Sequence, residues 1–240
     1  MTQPSTNGGT PASSGRTPAQ GNRLDPWYDV YADRAHNLRA SEIRALFSVV
    51  SRPEVVSLAG GMPNLKDLPL DRLAASAEKL IRNHGAQAMQ YGSGQGWEVL
   101  RERITEVMAY DGIVGADPDD VVVTTGSQQA LDLVTELFVN PGDVILAEAP
   151  SYVGALGVFR ARQADIVHVP MDEHGIIPEA LVETIRDVRA SGRTIKFIYI
   201  IPNYHNPAGV TLSAERRPII AEICLREHVL IVEDNPYGLL

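Results

Sequence analysis

The 240-residue chain carries 21 Lys and Arg against 30 Asp and Glu, for a formal net charge of −9, and 44 % of its residues are hydrophobic. That charge argues against a nucleic-acid partner, which needs a basic face for phosphate, and no run of about 18 apolar residues exists to cross a membrane as a helix. One cysteine, Cys224, permits no internal disulfide and has no companions for a metal site, so the composition fits a soluble cytoplasmic protein without a bound metal.

In chain order, residues 1 to 24 are rich in Ser, Thr, Gly, Pro and Gln. Such a segment buries too little apolar area to offset its ordering entropy and reads as disordered. Its lack of an apolar run also excludes a secretory signal. "SEIRALFSVVSRP" (41–53) reads as a helix capped by Ser41, with Pro53 beyond its end. "EVVSLAGGMPN" is a short strand broken at Gly60-Gly61. "DRLAASAEKLIRNHG" predicts a helix closed by Gly85, and "GWEVLRERITEVMAYDG" predicts a second. "DDVVVTTG" is a β-branched run that predicts a strand, and "SQQALDLVTELFVNPGD" sets Ala130, Leu131, Val134, Leu137 and Phe138 on one helical face.

The alternation continues through "VILAEAP", the helix "YVGALGVFRARQ", "ADIVHVP", the helix "PEALVETIRDVRASG", "KFIYIIP", the helix "SAERRPIIAEICLREH" and "VLIVED". Pro218 falls inside the last helical pattern and predicts an irregular first turn. Near-continuous apolar strands alternating with helices require a mostly parallel sheet covered on both faces. The expected class is α/β, doubly wound. Three regions follow: 1–24 as a disordered segment, 25–69 as an arm and helix, and 70–240 as the sheet domain.

Ligands of such sheets bind outside the carboxyl ends of the strands, and four loops there carry unusual residues. In "TTGSQQAL", Gly126, Ser127 and Gln128 open a helix whose first N–H groups and dipole suit an anion, or else Ser127 is an ordinary cap. In "AEAPSYVG", Tyr152 is either a flat cover for a ring or a core-edge tyrosine. "IPNYHNPAGVTLS" aims the Asn206 amide above the sheet, or its Asn side chains satisfy their own turn. Asp234, past the apolar run "VLIVE", is a carboxylate in want of a cation, or the first residue of a surface turn. A dinucleotide-binding reading of "GSGQGW" fails, since that fingerprint must follow a strand and here follows a helix, with its third glycine misplaced.

Together with "SLAGGMPN" and "QYGSGQGWEVLRERI", and in the same order, these loops resemble the class I/II aminotransferases, fold-type I pyridoxal-phosphate enzymes. The likeness is greatest to the 2-aminoadipate and aromatic branch and spans roughly residues 40–240. The resemblance implies transfer of an amino group between an amino acid and a 2-oxo acid. Gly126, Ser127 and Gln128 would bind the cofactor phosphate and Tyr152 would stack on its ring. Asn206 and Tyr237 would hydrogen-bond the phenolic oxygen, and Asp234 would pair with the protonated ring nitrogen. Tyr91 would reach the cofactor of the other subunit in a homodimer, and Gly60-Gly61 would lie near the substrate carboxylate.

The lysine that such enzymes use to hold the cofactor as a Schiff base is expected beyond Leu240. Lys66, Lys79 and Lys196, the lysines of this chain, do not fit that role. The chain thus resembles the front part of an aminotransferase, expected to be inactive by itself, with its large domain incomplete and the last strands left with unpaired edges. The other class of function is a non-catalytic or degenerate binding protein that keeps the fold. A regulator with an added DNA-binding domain is disfavoured, because the 40 or so leading residues are polar and lack a basic helix.

Overall fold

The structure, a computed structural model, describes residues 25–36, 52, 54–56 and 65–239. The disordered reading of 1–24, the helix expected at 41–53 and the Gly60-Gly61 break all lie outside the described residues. The chain divides into two units, residues 1–38 and 39–240. In the first, Tyr28–Val30 form a 3-10 turn and Asp33–His36 a single helical turn.

Among its described residues the second unit holds six α-helices and five strands: α1 Leu70–Ala88, α2 Glu98–Tyr110, α3 Ser127–Phe138, β1 Val144–Ala149, α4 Val153–Ala161, β2 Asp165–Asp172, β3 Gly175–Ile176, α5 Pro178–Ala190, β4 Ile195–Ile200, α6 Arg216–Arg226 and β5 Leu230–Glu233. The sheet order is β3-β2-β1-β4-β5. β2, β1, β4 and β5 run parallel, and only the two-residue β3 is antiparallel. No described helix is long and apolar enough to cross a membrane.

Alternation along the central strands builds two cores. Val144 and Leu146 of β1 with Ile198 and Ile200 of β4 meet Leu181, Ile185 and Val188 of α5 and Ile220, Ile223 and Cys224 of α6. Ile145, Ala147, Phe197 and Tyr199 face the other way, onto Leu131 of α3 and Ala155, Leu156 and Phe159 of α4. Successive side chains of a strand point to opposite faces, so a strand apolar at every position must be covered twice. That is the doubly wound arrangement expected from the sequence. Arg162, just past α4, locks the helices of the second face together through Asp132 (2.7 and 2.8 Å) and Glu136 (3.0 Å) on α3.

Three local expectations change. The helix expected to close at Gly85 runs on to Ala88 across a non-helical residue, His84. Pro218 is the third residue of α6, where an absent N–H costs no helical hydrogen bond, and the irregular turn precedes the helix at 213–215. The strand expected at 121–125 does not form. Its one hydrogen bond to a distant backbone group runs from the Val123 N–H to the Gln95 carbonyl, 2.8 Å, while Val121 and Thr125 bond only to residues three or four positions away. A strand exists only by pairing, and no described strand lies beside it.

The hairpin β2–β3 is tied to α6 by a bidentate ion pair. Arg216 donates to both oxygens of Asp172 at 2.6 and 2.8 Å and to the Gly175 carbonyl at 3.0 Å. These bonds, with the His174 N–H, hold the Asp172 carboxyl down at about 2, below its ordinary 3.8. A carboxyl depressed by folding stabilises the native state above its unfolded value, and that contribution disappears as pH falls through the folded one. Asp172→Asn should therefore melt at lower temperature than the parent chain near neutral pH, and the gap should close between about pH 4 and 2. Thermal unfolding followed by circular dichroism across that range checks it.

Candidate functional site

Because β1, β4 and β5 are parallel, their carboxyl ends share one edge of the sheet. α3 joins them there. Its 12 residues span about 18 Å at 1.5 Å per residue, comparable to the length of β1, and it leads into β1 through a short turn. Its first residue therefore lies at the level of the strands' carboxyl ends.

Gly126 caps α3 at φ 88°, ψ 165°, a conformation that side chains disfavour. Gln129 reaches back so that its Oε1 accepts from the Thr125 N–H (2.7 Å) and hydroxyl (2.8 Å). The N–H groups of Ser127 and Gln128 find no hydrogen-bond partner among the described residues, as expected for a first turn. Both residues are exposed. The result is a cluster of free donors at the positive end of a helix dipole.

At the end of β1, Tyr152 is the N-terminal cap residue of α4 and packs half-buried against the second core. Its ring folds over Gly154, where a Cβ would fall 2.4 Å from the ring Cζ. Glycine is needed at 154 for the tyrosine to lie there. Beside it, the Ser151 hydroxyl is buried with no hydrogen-bond partner.

At the end of β4 the fully buried Tyr199 stands edge-on to Phe159, ring centroids 5.4 Å apart. Its hydroxyl donates to Oδ2 of Asp234 at 2.6 Å, while the Asp234 N–H donates to the Ile200 carbonyl at 2.9 Å. Burial first, then the Asp234 carboxylate, pushes the Tyr199 phenol far above its ordinary 10.0. It is a fixed donor. The surface-turn reading of Asp234 gives way to a half-buried carboxylate with one oxygen already engaged.

Beyond β4 the loop 201–210 is pinned on two sides. Asn203 accepts from Arg217 (2.7 Å) and donates to Asn235 (2.8 Å), whose amide in turn donates to Asp111. On the inner side His205 is buried against Glu148. Asn206 lies half-buried in this loop, and Tyr237 is half-buried in the turn after β5.

Of the residues singled out in the sequence, Gly126, Ser127, Gln128, Tyr152, Asn206 and Asp234 thus gather at one edge. Tyr91 is fully exposed and touches none of them; Gly60 and Gly61 lie outside the described residues. "GSGQGW" serves packing: a Cβ on Gly96, at φ 108°, would sit 2.5 Å from Val123 Cγ2. Lys196 pairs with Asp143 at 3.3 Å, at the amino end of β4. Among the described residues no His, Cys, Asp and Glu cluster is suited to a metal. A cavity of about 620 Å³ between α2 and the turn after β5, lined by Leu100, Ile104, Met108, Asn235 and Leu239, contains none of the candidate residues. Sequence reasoning missed Glu148, Gly154 and Tyr199. A lone Glu in "VILAEA" and a lone Tyr in "KFIYII" were the available signals, since a polar group buried in an apolar strand needs a partner.

Comparison with known proteins adds five findings. The family model for aminotransferase class I and II matches residues 53–240. Aromatic-amino-acid aminotransferase 1 of Thermococcus litoralis is 38 % identical over 208 residues, covering 87 % of this chain and 50 % of that protein. The 2-aminoadipate transaminase of Thermus thermophilus is 34 % identical over 211 residues, covering 88 % and 50 %. Among solved structures, Pyrococcus horikoshii kynurenine aminotransferase superposes with TM-score 0.82 at 34 % identity, covering 90 % of this chain and 53 % of that one. The α-aminoadipate aminotransferase of Thermus thermophilus, complexed with N-(5'-phosphopyridoxyl)-L-leucine, superposes with TM-score 0.74 at 33 % identity, covering 87 % and 49 %. The chain spans about half the length of the curated relatives it matches.

Tyr199→Phe removes only the hydroxyl that holds Asp234. It should lower the unfolding free energy by about 1.5–3 kcal/mol, the worth of a hydrogen bond to a charged group, read as a shifted urea midpoint. A phenol raised by folding stabilises the native state below its unfolded value, so the difference between the two chains should be full below pH 10 and shrink above it.

Proposed function

Since the chain belongs to the class I and II aminotransferase family, we propose that residues 1–240 carry the pyridoxal-phosphate-binding part of an enzyme that moves an amino group between an amino acid and a 2-oxo acid. The observation that carries this reading is the pairing, on one sheet edge, of an open helix N-terminus with a carboxylate oriented by a buried phenol. The residues present fit the cofactor. Unpartnered N–H groups at Ser127 and Gln128 suit a phosphate, and the second oxygen of Asp234 suits a protonated ring nitrogen.

Bound there, pyridoxal phosphate supplies an electron sink for the pair left when an amino acid loses its Cα proton. The chain's part is to hold and polarise. Gly126, Ser127 and Gln128 anchor the phosphate. Tyr152 covers one face of the ring and keeps water from it. Asp234, its Oδ2 occupied by Tyr199, keeps the ring nitrogen protonated, while the Asn206 amide and the Tyr237 hydroxyl donate to the phenolic oxygen. A role for Gly60 and Gly61 at the substrate carboxylate is part of the same proposal.

The same reading makes the enzyme a homodimer in which Tyr91 reaches the cofactor phosphate of the other subunit, and the full exposure of Tyr91 supports that role. A cytoplasmic place of action fits a chain whose single cysteine is a buried free thiol.

Residues 1–240 should bind pyridoxal phosphate saturably and without a covalent link, since Lys196 is held by Asp143 at the far end of the sheet. Equilibrium dialysis should show Asp234→Ala weakening binding about tenfold or more, the loss of one charge-assisted contact. Borohydride reduction followed by mass spectrometry should label no lysine stoichiometrically. Absence of saturable binding, or an Asp234→Ala variant that binds as tightly as the parent, would sink the proposal.

A further inference from the structure

Glu148 and His205 are the most deeply buried carboxylate and base in contact among the described residues, 1 % and 2 % exposed. Taking a carboxylate out of water costs several kcal/mol unless its oxygens are engaged. The geometry shows what engages them. β1 and β4 exchange ladder pairs as far as Ala147 and Tyr199, so the Ile201 N–H lies beyond the ladder. The Glu148 side chain, one residue past its own last pair, accepts that N–H at 2.8 Å. The same Oε2 lies 3.0 Å from Nε2 of His205.

On the other side of the imidazole, Nδ1 accepts from the Ala208 N–H at 3.3 Å. An accepting Nδ1 carries no proton, so the neutral ring bears its hydrogen on Nε2, facing Glu148. The His205 backbone closes the same turn, donating to the Val210 carbonyl (2.7 Å) and accepting from the Gly209 N–H (2.5 Å). Asn206 and Pro207 are the residues enclosed between the imidazole and Ala208. Nε2 approaches Glu148 without hydrogen-bond alignment and has no other partner.

We propose that Glu148 and His205 are a positioning pair that fixes the Asn206 turn against β1, setting the direction of the Asn206 amide and, through it, the ionisation of the phenolic oxygen it faces. The proposal rests on the cofactor reading above and adds to it two residues with no contact to the cofactor. An amide N–H held on the phenolic oxygen favours its ionised form, because a hydrogen bond to the charged species stabilises it. A turn free to swing loses that bias even where the fold survives.

The test uses residues 1–240 with pyridoxal phosphate bound, and reads the balance between phenolate and phenol absorption bands at one neutral pH. Asn206→Ala is the reference and should move the balance toward the phenol. Glu148→Leu and His205→Phe, checked for native circular dichroism, should move it the same way and weaken binding by roughly tenfold or less, one hydrogen bond's worth. Glu148→Gln, whose side-chain oxygen still accepts from the Ile201 N–H and still faces Nε2, should keep the parent spectrum. His205→Phe leaves the Glu148–Ile201 bond in place, so it decides the matter if Glu148→Leu does not fold. A parent-like spectrum in folded His205→Phe, with Asn206→Ala shifted, overturns the positioning pair and leaves the cofactor reading standing. An unshifted Asn206→Ala overturns the role of Asn206 itself, and the pair with it.

Discussion

Everything at the site depends on two strands being buried on both faces. β1 and β4 send alternate side chains into two separate cores, and each core needs its own pair of helices. A helix that returns over the sheet after each strand makes the strands parallel. Parallel strands place all their carboxyl ends on one edge. The exits of β1, β4 and β5 are therefore neighbours although Ala149, Ile200 and Glu233 are far apart in sequence. No single loop builds the site.

Two buried polar groups at that edge, Glu148 and Tyr199, each answer another group's unmet bond. Glu148 stands where the β1–β4 ladder stops and takes up the first unpaired N–H of the neighbouring strand. Tyr199 points the other way, into the second core, and spends its hydroxyl on Asp234, just past β5. Each bond crosses between adjacent strands, so the edge that carries the candidate site is also stitched laterally. This reconciles a preorganised site with a buried one: an unmet polar group inside costs far more than the same group in water.

The periphery shows what happens where such partners are missing. α1 exposes Leu73, Leu80 and Ile81, and buries no residue among the described ones. The β-branched run at 121–124 has β-propensity throughout yet no ladder. Among the described strands β5 pairs on one side only, and Leu230 remains 43 % exposed. Propensity and apolar periodicity mark elements that are ready to pack; they form only where a partner surface exists.

Much of this was legible in the sequence. The helix–strand alternation, the parallel two-sided sheet and the cluster of Gly126, Ser127, Tyr152, Asn206 and Asp234 follow from local patterns and from the rule that such sheets bind at their carboxyl ends, because periodicity and turn chemistry are properties of neighbouring residues. Glu148, Gly154 and Tyr199 were not legible as site residues, since each acts through an atom brought close only by the fold: the Ile201 N–H, the Tyr152 ring and the Asp234 carboxylate. Likewise "DDVVVTTG" reads as a β-branched strand, and only the tertiary structure shows that no described strand pairs with it. Sequence decides what a segment is able to form and which groups it carries; the tertiary structure decides which buried donor meets which acceptor, because that match is a distance between strands and leaves no trace along either one.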